Sequence, residues 1–82
     1  MAKLPRDVSG VELAKLLGRY GYEITRQTGS HIRLTAKRSS HEYHITIPSH
    51  TPLKPGTLNA ILKEVASSLG ISKRELIEEL FR

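Results

Sequence analysis

The chain has 82 residues, 38% of them hydrophobic, with one Phe, three Tyr, no Trp and no Cys. That length leaves no room for a second core of independent stability, so residues 1–82 are expected to form one domain on a modest, mostly aliphatic core. Without cysteine a disulfide framework and a thiolate metal site are both excluded. Thirteen Lys and Arg against eight acids give a net charge of +5, a balance that suits polyanions but does not single them out.

The charge is unevenly placed. Residues 26–63 carry six cations, at Arg26, Arg33, Lys37, Arg38, Lys54 and Lys63, against the single acid Glu42, whereas Glu75, Glu78 and Glu79 crowd the C-terminal end. The middle of the chain is therefore expected to form the basic surface. Met1-Ala2-Lys3-Leu4-Pro5-Arg6 has no apolar run behind it, so no signal peptide is expected. No stretch approaches the ~18 apolar residues that a membrane span needs. A cytoplasmic location fits these features.

Ser9-Gly10-Val11-Glu12 has the form of a capping box. Val11, Leu13, Leu16, Leu17 and Tyr20 then recur at helical spacing up to Gly21, which predicts a helix over about 10–20. From Tyr22 to Thr28 the pattern alternates, with Tyr22 and Ile24 on one face and Glu23, Thr25 and Gln27 on the other. Gly29-Ser30 is a turn signal. In the next strand, His31 to Ala36, the inward set is Ile32, Leu34 and Ala36, and the outward set is His31, Arg33 and Thr35. Lys37 to His41 reads as a polar turn. A third strand, Glu42 to Ile47, points Tyr43, Ile45 and Ile47 inward and His44 and Thr46 outward. If the first hairpin closes at Thr28-Gly29-Ser30, face matching sets Gln27 opposite His31 and Thr25 opposite Arg33.

Prolines at 48, 52 and 55 mark a loop, after which Thr57 is placed to cap a second helix through Leu58, Ile61, Leu62, Val65 and Leu69. Gly70 ends it. Ser72-Lys73-Arg74-Glu75 opens a short last helix through Leu76, Ile77 and Leu80. The order α-β-β-β-α-α is an α+β fold: a three-stranded antiparallel sheet with helices on one face and a wet opposite face.

Several residues on that wet face bear chemistry. His41 and His44 have an H-x-x-H spacing, but residues three apart on a strand point to opposite faces, and no Cys or Asp completes a metal set. Ser30 adjoins His31, yet neighbours on extended chain diverge, and no acid is placed to orient the ring. His31 itself lies at a glycine turn, with Arg26 and Arg33 nearby. Glycine admits a phosphate or ribose close to the backbone, arginines contact phosphate through two donors, and imidazole exchanges a proton near neutral pH. On these grounds alone, His31 reads either as a proton-transfer group for cleavage of RNA or as an ordinary surface histidine. His50 reads as a plain loop residue and His44 as a surface strand residue. Lys54 with the Gly56-Thr57 turn reads either as a phosphate site at a helix start or as a simple cap.

The segments Leu4-Pro5-Arg6, Ser9-Gly10, Gly21-Tyr22, Arg26-Gln27-Thr28-Gly29-Ser30-His31, Ile47-Pro48-Ser49-His50 and Lys54-Pro55-Gly56-Thr57-Leu58 resemble the HicA (YcfA-like) toxins in order and interval. The resemblance implies a fold like the double-stranded-RNA-binding domain. It also implies a metal-independent endoribonuclease that cuts mRNA, blocks translation and growth, and is neutralised by a HicB-like antitoxin. The family's catalytic histidine falls on His31, and Arg26, Gly29, Ser30 and Lys54 fall on matching positions; Arg33 joins them as an RNA contact from its place on the wet face. No cofactor is implied. Lys63 to Leu69 is longer than the family pattern, so the second helix is expected to be extended. Two other readings use the same residues: a non-catalytic RNA-binding module, and a protein-interaction domain whose basic face meets an acidic partner.

Overall fold

Capping chemistry sets the first helix. In the computed structural model the Ser9 hydroxyl accepts from the Glu12 N–H at 3.0 Å, and the Glu12 carboxylate accepts from the Ser9 N–H at 3.2 Å, so two otherwise orphaned amides are satisfied together. The structure describes residues 4–5 and 7–81. Outside them lie the Met1-Ala2-Lys3 start, the Arg6 of the Leu4-Pro5-Arg6 segment, and Arg82. From this cap α1 runs Gly10–Leu17, tightens into a 3₁₀ turn at Gly18–Tyr20, and stops at Gly21 with φ +83°. Leu13, Ala14 and Leu17 form its buried stripe. Val11, expected on that stripe, is 41% exposed.

The three strands are β1 (Glu23–Gln27), β2 (His31–Arg38) and β3 (His41–Pro48), paired antiparallel in the order β1-β2-β3. Ile32, Leu34, Ala36, Ile45 and Ile47 are buried under the helices, while His31, Arg33, His44 and Thr46 are exposed on the other face. The expected alternation of β2 and β3 therefore holds. The β2–β3 turn is shorter than expected: pairing continues to Arg38↔His41, which leaves only Ser39 and Ser40 as the turn, with Ser39 at φ +54°.

β1 departs from its pattern in a way that matters for the site. Its first pairs, Glu23↔Thr35 and Ile24↔Leu34, keep the expected register; the next are Arg26↔Arg33 and Gln27↔Ile32. Thr25 is an extra residue, a β-bulge, so the strand slips by one from that point and exchanges faces. Gln27 is thus not opposite His31, nor Thr25 opposite Arg33. Ile24 does share a side with Leu34, but β1 is an edge strand and Ile24 stays 48% exposed.

The second helix, α2 (Pro55–Leu69), starts earlier than its composition predicts. Lys54 is the N-cap, Pro55 takes the first helical position, and Thr57 lies inside the helix. Proline is preset for that place: its φ is helical and its missing N–H costs nothing there. Leu58, Ile61, Leu62, Val65 and Ala66 are buried, and Gly70 ends α2 at φ +71°. Ser72 then caps α3 (Lys73–Leu80) by accepting from the Glu75 N–H at 3.1 Å. One hydrophobic cluster takes residues from α1, the two longer strands and both later helices.

Arg38 leaves the expected basic surface. Its guanidinium lies 5.1 Å from the Tyr22 ring centre and 5.3 Å from that of Tyr43, and it donates to the Tyr20 carbonyl at 2.8 Å and the Ser68 hydroxyl at 3.1 Å. It ties the end of β2 to α2 and the 3₁₀ turn. Among the described residues no helix is long and apolar enough to cross a membrane.

Candidate active site

The β1–β2 turn places His31. Thr28 and His31 close it: the Thr28 N–H donates to the His31 carbonyl at 2.9 Å, and the His31 N–H donates to the Thr28 hydroxyl at 3.2 Å. Two residues, Gly29 and Ser30, remain between them. A second clasp comes from the far end of β3, where the Ser49 N–H donates to the Ser30 carbonyl at 3.0 Å and the Ser49 hydroxyl to the Gly29 carbonyl at 2.9 Å. The turn is thus fixed on both sides although it is exposed.

Ser30 and His31 do not diverge as extended neighbours would. Ser30 belongs to the turn, not to the strand, and its Oγ lies 3.0 Å from His31 Nδ1. The hydroxyl can serve that nitrogen as donor or acceptor, and it sets the ring's orientation. No hydrogen bond to Nε2 is present among the described residues. Gly29 has an ordinary negative-φ backbone, and a Cβ built on it meets nothing within 4 Å. Open space therefore surrounds the position that a side chain at Gly29 would take.

The loop after β3 is held by α1. The Gly10 N–H donates to the His50 carbonyl at 3.0 Å, and the Leu53 N–H to the Val8 carbonyl at 2.8 Å. Gly10 is required for this approach, since a Cβ there would collide with the Pro48 carbonyl oxygen. His31 is paired with Pro48 in the sheet, so α1, the loop and the histidine turn form one connected unit. The His50 side chain is exposed.

Arg33 lies two residues along β2 on the same face as His31, and the bulge brings Arg26 directly across from it. Thr25 holds the bulge through a 2.9 Å contact between its Oγ1 and that of Thr35. Thr35 Oγ1 in turn meets His44 Nδ1 at 3.0 Å, and His44 Nε2 lies 3.1 Å from a Glu42 oxygen, whose partner oxygen is 3.8 Å from Lys37. His41 is on the opposite side of β3, stacked 6.2 Å from Tyr43. Among the described residues no group of three or more His, Cys, Asp or Glu side chains is placed to hold a metal ion.

The expected site residues thus divide. Gly29, Ser30 and His31 form one turn, with Arg33 and Arg26 beyond it on the same face. Lys54 is the exposed N-cap of α2, and among the described residues no hydrogen bond or ion pair joins it to the turn. Thr28, read only as part of the hairpin close, and Ser49, read only as part of a motif, both hold the turn. Ser49 acts across twenty residues, a separation that no local pattern reveals. A family model described as HicA toxin of bacterial toxin-antitoxin matches residues 10–66, from the start of α1 into the last turns of α2. No curated protein and no solved structure matches the chain.

Proposed function

This chain belongs to the HicA toxin family of bacterial toxin-antitoxin systems, and from that premise we propose that it is a metal-independent endoribonuclease acting on mRNA, with His31 as its catalytic residue. The observation that supports this best is the Gly29-Ser30-His31 turn: an exposed imidazole, one nitrogen engaged by Ser30, in a turn where nothing crowds Gly29. RNA carries its own nucleophile, the 2′-hydroxyl. Nε2 of His31 takes the proton of that hydroxyl as its oxygen attacks the neighbouring phosphorus. The bond from phosphorus to the 5′-oxygen breaks, the leaving oxygen takes a proton from solvent water, and a 2′,3′-cyclic phosphate and a 5′-hydroxyl result. Arg26 and Arg33, on the same face of the sheet, supply positive charge for the RNA backbone beside the cut. Lys54, with the amides of Gly56 and Thr57 that begin α2, offers a further phosphate contact. A HicB-like antitoxin silences the toxin by binding it.

The test is cleavage of single-stranded RNA by antitoxin-free protein in EDTA. We expect cutting by the native chain and a loss of roughly 10²–10⁴-fold in His31→Ala, with thermal unfolding unchanged. Expression should arrest growth and His31→Ala should relieve it. Intact RNA after incubation with folded native protein would refute the reading.

A further inference from the structure

Two arginines face each other across the β1–β2 ladder. Antiparallel partners lie on one side of the sheet about 4.5–5.5 Å apart at Cβ, and like charges at such positions are destabilising. The bulge at Thr25 creates this pair: with unbroken register Thr25 would oppose Arg33, and Arg26 would turn to the other side. On the same face Glu42 lies against Lys37 and His44, and the other acid, Glu23, is paired with Thr35 and forms no ion pair with either arginine among the described residues. Neither the Arg26 nor the Arg33 guanidinium has an acid or a hydrogen-bond partner among the described residues. The sheet therefore tolerates a local repulsion that an anion would relieve.

We propose that Arg26 and Arg33 are a two-arginine phosphate clamp; resting on the nuclease reading above, it takes the phosphodiester next to the one presented to His31. Residues two apart on a strand are separated by about 6.6 Å, close to the spacing of successive phosphorus atoms in an extended ribonucleotide chain. With one phosphate at His31, the next reaches the face of Arg33 and Arg26. The RNA then lies as a single strand along β2 on the bare face of the sheet. Both guanidinium forks converge on one phosphate, and each can donate twice.

Binding of a short single-stranded RNA, made uncleavable by 2′-O-methyl groups, is measured against salt for the native chain, Arg26→Gln, Arg33→Gln and the double variant. One shared phosphate predicts that the double variant lowers the salt slope by ~0.7 in all, with the second substitution adding little to the first. Unfolding without RNA should occur at the same temperature or higher in Arg26→Gln, because a repulsion has been removed. A fall of ~1.4, one phosphate for each arginine, or no fall, overturns the shared clamp. In parallel, the side-chain N–H resonances of both arginines are followed by NMR during titration with inorganic phosphate. Joint movement that is lost in Arg33→Gln supports the clamp even if RNA fails to bind, in which case only the nuclease reading falls. Resonances that ignore both phosphate and RNA overturn the clamp itself.

Discussion

The Ser49 hydroxyl donates to the carbonyl of Gly29 at 2.9 Å, while the Ser49 N–H donates to the next carbonyl, that of Ser30. One residue at the end of β3 thus grips the two-residue turn that sets His31. Ser49→Ala removes the hydroxyl bond and leaves the backbone bond in place. We expect a stability loss of about 0.5–1.5 kcal/mol and a larger relative loss of RNA cleavage than of RNA binding, because the turn loosens while the arginines stay. Urea unfolding together with single-turnover cleavage checks this; equal losses in binding and cleavage would count against a positioning role.

Gly10 should tolerate no side chain. A Cβ there meets the backbone of Pro48 and Ser49, not a flexible side-chain tip, so α1 or the loop has to move. Gly10→Ala is expected to cost about 1–3 kcal/mol, the usual range for overpacking, despite the better helix propensity of alanine. Chemical denaturation measures it, and an unchanged midpoint would show that the contact is slack.

Arg38 is a structural cation. Arg38→Lys keeps the charge but loses the planar fork that reaches Tyr20 and Ser68 between two rings. We expect destabilisation of about 2 kcal/mol, from lost charge-assisted hydrogen bonds and cation–π contacts. The affinity of the folded protein for RNA should not change. A loss of RNA affinity without destabilisation would return Arg38 to the binding surface.

Alkaline pH should loosen the contact of α3 with the 3₁₀ turn. The Tyr20 hydroxyl donates to a Glu79 oxygen at 2.7 Å. Burial first, then that hydrogen bond and the negative charge of Glu79, push Tyr20 up from 10.0 to about 12. A proton held more tightly in the folded state stabilises fully below the unfolded value, and that stabilisation is lost as pH rises from 10.0 toward about 12. The native chain should therefore lose more stability than Tyr20→Phe across this window. Parallel slopes of unfolding midpoint against pH would refute the contribution.

Much of the architecture was legible because its signals are local. The Ser9 and Ser72 caps, the glycine stops at 21 and 70, and the alternation of β2 and β3 each involve residues a few positions apart, where sterics and hydrogen bonding act within the chain. The exposed histidine at a glycine turn was legible for the same reason. Thr57 has the side chain of a capper, but Pro55 presets the helix two residues earlier and Lys54 is the cap.

What composition and spacing determined by themselves, then, is an α+β chain with one buried sheet face and His31 on the other. Which side chains share the site with His31 was decided only in three dimensions. The bulge at Thr25 moves Arg26 across from Arg33 by a one-residue slip, and Ser49 reaches the turn from twenty residues away. Tyr22 and Tyr43 draw Arg38 out of the basic surface into a packed contact. Each depends on register or on contact between distant segments, and register is set by how strands and helices fit together rather than by the order of neighbours.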